Sequence, residues 1–458
     1  MTDSFAGVYL LDAPYAIDRI YDYAIPRDLR DVIHRGSFVT VPFGNGNRKN
    51  LALVAEIRES SPYPKHKPVL TVCAESMALD ESKIGLALFL KEQTLCTVGD
   101  AVRAMLPVSA LGQLREVYRP AAVSGECRAE SEEDELVLCY LREKGEADTD
   151  RLRRKFGSTV AQSLQHLRQR GAVVRDARYV ERDAANYIRC RMLNIEREDA
   201  YALAQGERVG EMSLRSEKQR AAVRMLAESE DAVPDKTLCE RTGCTAAVLN
   251  TLTDKGYLKE YKLRNERDPY RDAKEGVSAP PIRLNEDQSK VFEALRALVD
   301  RAEPHGALLH GVTGSGKTAV MLSLISHLLE TGKSAIVLLP EIALTPQSVA
   351  IFCARFGACV AVIHSALSAG ERYDAYERIR RGEARVVVGT RSAVFAPVVR
   401  LGAIIIDEEQ EHTYKSDMNP KYRAHDVARF RCAADGALML LCSATPSLES
   451  YHKAVEGK

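Results

Sequence analysis

The 458 residues contain no tryptophan, an absence that bears on no function. The lack of net charge says more. Lys and Arg together number 64, and so do Asp and Glu. There is therefore no global basic signature, and nucleic-acid binding has to rest on local patches. None of the eleven cysteines stands in a Cys-x-x-Cys pair. Cys239 and Cys244 are too isolated to read as a zinc site, and free thiols in a reducing cytosol are the better reading. No apolar run reaches transmembrane length, and Met1 to Leu11 lacks a basic n-region. The expectation is a cytoplasmic protein with no membrane contact. What is present is ordinary for a globular chain: 45% hydrophobic and 28% charged residues. The length suggests about three domains.

The most informative stretch is Gly306-Ala-Leu-Leu-His-Gly-Val-Thr-Gly-Ser-Gly-Lys-Thr318. A short apolar run leads into Gly-x4-Gly-Lys-Thr, and a helix-like run from Ala319 to Glu330 follows. This strand–loop–helix context defines a phosphate-binding P-loop. Glycines at 311, 314 and 316 let the backbone fold tightly around an anion. Backbone N–H groups from Gly311, Thr313, Gly314, Ser315 and Gly316, with the helix N-terminus, would cradle the phosphates. Lys317 would reach the β/γ-phosphates and Thr318 would hold Mg²⁺. A second stretch, Leu401-Gly-Ala-Ile-Ile-Ile-Asp-Glu-Glu-Gln410, reads as a buried strand ending in carboxylates. A strand-end aspartate holds Mg²⁺ in P-loop NTPases, and a neighbouring acid positions the attacking water. Asp407 is the metal candidate and Glu408 the general base.

Three regions follow from the patterning. Residues 1–112 look β-rich. Phe38 to Gly44 and Leu51 to Ile57 are strands around a basic Gly44-Asn-Gly-Asn-Arg-Lys49 turn, with helical stretches at Ser82 to Gln93 and Val98 to Met105. A small β-barrel-like module is expected. Residues 113–270 hold an internal repeat, at about 134–182 and 213–262. Each copy runs helix, short helix, longer helix, then Leu-x-x-(Arg/Lys)-Gly and a strand, the layout of a winged helix. DNA contact and a spacer role stay equally open for both copies. Lys262 to Glu275 reads as a linker. Residues 280–458 alternate strand and helix, the pattern of a parallel doubly wound α/β sheet with its chemistry at the strands' carboxyl ends.

Around the P-loop stand Leu284-Asn-Glu-Asp-Gln288, Leu339-Pro-Glu-Ile-Ala-Leu-Thr-Pro-Gln347, His364-Ser-Ala-Leu-Ser368, Gly389-Thr-Arg-Ser-Ala-Val-Phe-Ala-Pro397 and Cys442-Ser-Ala-Thr-Pro446. Their order and spacing resemble the first, RecA-like motor lobe of superfamily 2 helicases. In detail they resemble the PriA family of primosomal replication-restart helicases. Tyr21-Asp-Tyr23, Pro26, Gly36-Ser37, Val41-Pro-Phe-Gly44 and Met105-Leu-Pro107 resemble that family's DNA 3′-end-binding domain, so the match covers nearly the whole chain.

The resemblance implies an ATP-dependent 3′-to-5′ DNA helicase that assembles primosomes at stalled or branched forks, with ATP and Mg²⁺ as cofactors. It implies branched and single-stranded DNA, DNA 3′ ends, other primosome proteins and single-strand-binding protein as partners. It assigns Gln288 to the adenine, and Ser443 and Thr445, with Gln410, to coupling. Thr345, Thr390 and Arg391 would touch the backbone of the tracked strand. Asp22 would line the 3′-nucleotide pocket. Tyr414 and Lys415 open an aromatic-rich loop, ending at Tyr422, that would sense single-stranded DNA. Two positions depart from the family: Gln410 stands where histidine is usual, and His425 where arginine is. The family's second motor lobe, its arginine fingers and its paired zinc-binding cysteines lie beyond the third motif, so zinc is expected only there. The 458 residues are accordingly expected to be a truncated form that binds but does not unwind. The rival reading is a DNA-structure-binding scaffold that uses nucleotide only as a conformational ligand.

Overall fold

A computed structural model describes residues 4–73, 77–108, 110–121, 131–180, 186–274 and 279–457. The chain divides into two compact units, one formed by Met1–Asp183 with Pro269–Lys458, the other by Ala184–Asp268.

The first unit begins with five antiparallel strands: β1 (Phe5–Leu10), β2 (Tyr21–Ala24), β3 (Phe38–Phe43), β4 (Arg48–Arg58) and β5 (Thr71–Cys73), in the order β2-β1-β4-β3-β5. A parallel bridge between Ala24 and Pro68 draws the two sheet edges together. β3 is buried along nearly its whole length, which suits its run of β-branched and aromatic residues. Helix α1 (Glu81–Thr94) starts at an Asp80 cap, and α2 (Val98–Met105) starts at a capping box made by Thr97 and Asp100. Ile84 and Leu90 of α1 and Val102 of α2 enter one continuous core with Phe395, Ile406 and Val427, far along the chain. Phe89 packs against Phe430 with ring centroids 4.9 Å apart. The N-terminal module is thus joined to the nucleotide-binding lobe by shared apolar packing.

Next come β6 (Gln113–Pro120), α3 (Glu132–Lys144), β7 (Ala147–Asp148), α4 (Thr149–Phe156), α5 (Val160–Gln169) and β8 (Val173–Val180), with strand order β7-β6-β8. Leu138, Leu141, Leu152, Leu164 and Leu167 form their core. The second unit follows the same order with one added helix, α6: β9 (Tyr187–Leu193), α6 (Arg197–Gln205), α7 (Glu217–Ala227), β10 (Val233–Pro234), α8 (Asp235–Thr242), α9 (Ala246–Asp254) and β11 (Leu258–Arg264). Its sheet runs β10-β9-β11. Fully buried Arg191 reaches Asp235, Thr253 and Asn250 with hydrogen bonds of 2.7–3.1 Å, which satisfies its charge inside the unit. Each copy also recruits a strand ahead of its first helix, β6 or β9, which helical periodicity does not announce. The stretch read as a linker continues β11 to Arg264 and holds α10 (Arg271–Lys274). Glu275 and residues 181–182 lie outside the described residues.

The remainder of the first unit is a wholly parallel six-stranded sheet. Its elements are α11 (Glu286–Asp300), β12 (His305–His310), α12 (Lys317–Glu330), β13 (Ser334–Leu338), α13 (Pro346–Phe356), β14 (Val360–Ile363), α14 (Ala369–Arg380), β15 (Val386–Gly389), β16 (Leu401–Asp407), α15 (Ala424–Asp435), β17 (Leu438–Ser443) and α16 (Leu448–Glu456). The strand order is β12-β17-β16-β13-β15-β14. β13, β14 and β15 are buried throughout, as strands covered on both faces require. No helix among the described residues is long and apolar enough to cross a membrane.

Gly389 ends β15 where two backbones nearly touch. A Cβ there would lie 2.1 Å from the Ile363 carbonyl oxygen and 2.7 Å from the Ala393 Cβ. Gly389→Ala is expected to cost about 1–3 kcal/mol through overpacking. A urea midpoint equal to that of the wild type would remove this account of the glycine.

Candidate nucleotide and DNA sites

The carboxyl ends of β12, β16 and β17 lie side by side and carry the chemistry. The loop after β12 is tied to β17 by the Gly311 amide, which donates to the Ser443 carbonyl at 3.2 Å. Gly314 and Gly316 adopt φ of 81° and 83°, which side chains resist. A Cβ on Gly316 would fall 2.2 Å from the Gln288 amide nitrogen. Gln288 closes the capping box at the start of α11 and donates from Nε2 to the Ser315 carbonyl at 3.0 Å. It therefore rests on the P-loop. Lys317 and Thr318 open α12, whose first N–H groups face the loop as an anion-binding end. The Lys317 ammonium folds back onto the carbonyls of Gly311 and Val312, at 2.6 and 3.3 Å. Val312 is 73% exposed, so the cradle is open to an incoming ligand.

Asp407 stands at the end of β16. Burial pushes its carboxyl pKa up; the Glu408 amide draws it down, the Glu408 charge raises it and the Lys317 charge lowers it. A carboxylate under that strain gains from a cation beside it. The Asp407 and Thr318 oxygens are the hard donors Mg²⁺ takes. Among the described residues no cluster of three or more His, Cys, Asp or Glu could hold a metal. Mg²⁺ is commonly held by one or two carboxylates together with nucleotide phosphates, and Asp407 with Thr318 would supply the protein's part of such a set. The site therefore fits Mg²⁺.

Glu408 sits at φ 45°, a left-handed conformation uncommon for a non-glycine residue. Its Oε2 accepts from Gln410 Nε2 at 2.9 Å. The Gln410 Oε1 accepts from the Ser443 hydroxyl at 2.6 Å, and Ser443 Oγ accepts from the Thr445 amide at 2.9 Å. The acidic box and the Ser-Ala-Thr segment are thus one hydrogen-bonded chain. Gln410 bridges it because an amide offers both a donor and an acceptor.

Sequence reasoning missed Glu409. It is 3% exposed and accepts from the Ser447 amide at 2.6 Å, the Ser450 hydroxyl at 3.0 Å and the Ser447 hydroxyl at 3.3 Å. His425 Nε2 faces it at 3.6 Å. Burial alone would raise its carboxyl pKa, but His425 and these donors pull it down to about 2. Glu409 anchors the start of α16 to the acidic box. The one available signal was the serine spacing in Pro446-Ser-Leu-Glu-Ser450.

The structure covers three of the side chains expected to meet DNA. Tyr414 was to stack on bases, yet its ring is 2% exposed and its hydroxyl is held by the Leu338 carbonyl at 3.0 Å and the Asp407 carbonyl at 2.5 Å. Tyr422 is likewise buried, edge-on to Phe395. Apolar burial of both rings outweighs display. Thr390 is also covered, at 4% exposure. Arg391 donates to the carbonyls of Lys415 at 2.6 Å and Thr413 at 3.3 Å, so it clamps the 414–422 loop, while Lys415 itself is exposed. Thr345 caps α13 by accepting from the Ser348 amide. Asp22 lies apart, on β2. Its side chain is 2% exposed and accepts from Arg58 at 3.0 Å and the Ser61 hydroxyl at 2.7 Å.

Comparison with known proteins agrees with this geometry. Residues 10–107 match the family model of the PriA 3′ DNA-binding domain, and residues 285–454 match the DEAD/DEAH box helicase model. The P-loop lobe is of the DEAD/DEAH helicase class. The Replication restart protein PriA of Bacillus subtilis is 36% identical over 99% of this chain and 55% of its own length. That of Chlamydia muridarum is 28% identical over 96% of this chain and 49% of its own. A solved structure of RecG bound to a three-way DNA junction is 27% identical, covering 39% of this chain and 23% of that chain, with a TM-score of 0.30. The chain belongs to the PriA family of superfamily 2 helicases. It spans about half the length of the curated relatives it matches.

Removing the Lys317 ammonium deletes the charge partner of the phosphates. Lys317→Ala should weaken binding of a fluorescent ATP analogue with Mg²⁺ at least about tenfold, as loss of a charge-assisted contact worth roughly 1.5–3 kcal/mol implies. Equal titration curves for the two proteins would show that the loop is not the nucleotide site.

Proposed function

We propose that this chain carries the nucleotide-binding lobe and the DNA 3′-end module of an ATP-dependent 3′-to-5′ DNA helicase of replication restart, one that acts at stalled or branched forks. The observation that supports it most is the hydrogen-bonded chain from Glu408 through Gln410 and Ser443 to Thr445, set beside the P-loop lysine. In this reading Gly311 to Thr318 bind the triphosphate and Gln288 meets the adenine. Thr318 and Asp407 hold Mg²⁺, Glu408 orients the attacking water, and the Gln410–Ser443 link passes nucleotide state onward. Thr345, Arg391 and Lys415 serve the tracked strand, Arg391 through the loop it clamps. Residues 1–112 form the 3′-end-binding domain, 113–270 two winged-helix units and 280–458 the first motor lobe. Single-stranded and branched DNA are the ligands. Other primosome proteins and single-strand-binding protein are the partners, in the cytoplasm.

Asp22 would take the terminal 3′-hydroxyl. Asp22 and Glu56 share one guanidinium, Arg58, so the pocket keeps an excess of negative charge. Such a pocket accepts from a hydroxyl and repels a phosphate. The wild type should prefer oligonucleotides ending in a 3′-hydroxyl over a 3′-phosphate, and Asp22→Ala should erase that preference. Equal anisotropy titrations for both ends in the wild type would sink the assignment.

The 458-residue polypeptide should bind DNA and nucleotide yet separate no strands. The family resemblance implies that the arginine stabilising the γ-phosphate comes from a second lobe, and a supplied arginine is worth roughly 10³–10⁵ in rate. A nucleotide on one lobe also stays wet, which weakens each local electrostatic contribution. A forked-duplex assay on this polypeptide measures it. ATP-dependent unwinding there would refute the reliance on a second lobe. A chain that responds to nucleotide but unwinds in no context would favour the scaffold reading.

A further inference from the structure

A cleft of about 1140 Å³ lies in the first unit between the β3–β4 turn, the end of α2, and the α5–β8 corner. It belongs to neither the P-loop nor the Asp22 pocket. Its volume exceeds the usual range of about 300–1,000 Å³ for small-molecule sites. Five cations and three acids line it. Each acid is already paired: Asp12 with Arg103, Glu116 with Arg175, and Asp176 with Lys49 at 2.9 Å and with Arg119, outside the lining, at 3.7 Å. Arg48 and Arg168 remain, both exposed and without an ion pair among the described residues. They stand on opposite walls, Arg48 at the start of β4 and Arg168 near the end of α5. The two walls are held together by the Lys49–Asp176 pair. Among the described residues no aromatic side chain or histidine lines the cleft.

We propose that this cleft binds the sugar–phosphate backbone of single-stranded DNA, gripped between Arg48 and Arg168. The proposal rests on the reading of the chain as a DNA-binding protein and assigns a second place of contact. Two guanidiniums without an ion-pair partner, lining one cleft from different elements, suit a polyanion that passes along it. The lack of aromatic rings removes base stacking, so the contact reads charge and is indifferent to sequence. A duplex, wider than a single strand, is disfavoured because the Lys49–Asp176 pair ties the two walls of the cleft together.

The test uses the 458-residue chain and closed circular oligothymidylate, which has no 3′ end and so bypasses the Asp22 pocket. Wild type and Asp22→Ala should bind the circle equally. The double variant Arg48→Ala/Arg168→Ala should bind about tenfold more weakly, and its log-affinity against log-salt slope should shrink by about 1.4, at roughly 0.7 per phosphate on a single strand. A circle of oligodeoxyadenylate should behave as the thymidylate does. Arg153→Ala/Arg154→Ala, on exposed positions of α4 outside the cleft, should leave binding unchanged. Retained binding of the ATP analogue verifies that each variant is folded. The proposal is overturned if the wild type does not bind the circle, or if the double variant keeps the wild-type affinity and slope. It is equally overturned if a hairpin-capped duplex without ends binds as tightly through the same two arginines. A lost 3′-hydroxyl preference with circle binding intact would count against the Asp22 reading alone.

Discussion

The nucleotide site depends on β16 and β17 ending side by side in a buried parallel sheet. That register sets Asp407 opposite Cys442 and leaves Ser443 within reach of Gln410. Burial disfavours charge on the strand-end carboxylate, whereas the metal-holding role proposed for it needs that charge. The nearby Lys317 offsets part of the cost, and a metal ion would offset more. The same crowding forces Glu408 into a left-handed conformation and pins Gln410 across the gap. A small displacement of either strand would therefore reach the phosphate cradle, the acids and the Ser443–Thr445 segment together.

Around that centre the acids divide their work by environment. Asp407 is held up in pKa by burial, whereas Glu409, two residues on and more deeply covered, is held down by the donors that surround it. One is poised for a cation; the other is already satisfied and serves as an anchor for α16. On the far side, Arg391, just past β15, and the Tyr414 hydroxyl, bonded to the end of β16, fasten the 414–422 loop to the sheet. The tip of that loop reaches the N-terminal module, where Asn419 donates to Asp100 at 2.9 Å. With α1 and α2 sharing the lobe's core, the module that matches a 3′ DNA-binding domain and the nucleotide site form one packed body.

Much of the lobe was legible because its signals are local. Six apolar strand runs separated by helical periodicity specify a parallel α/β sheet, and Gly-x4-Gly-Lys-Thr specifies its own loop through glycine conformation and helix polarity. The strands that complete the two helical repeats were not legible. β6 and β9 make their longest pairings with β8 and β11, far along the chain, and show no alternation strong enough to announce a sheet. Gln410 looked like a defect where histidine is usual, yet its amide makes both bonds the position needs.

The sequence by itself determined the class of the lobe and pointed to the loop and the acids proposed to hold the nucleotide, because backbone conformation and strand-end position follow from neighbouring residues. Only the tertiary structure decided which side chains are spent inside the protein and which face outward. Tyr414 and Thr390 are covered, Glu409 is locked to α16, and Arg48 and Arg168 face one cleft from distant parts of the chain. Burial and ion pairing are set by contacts remote in sequence, and no local pattern of residues encodes them.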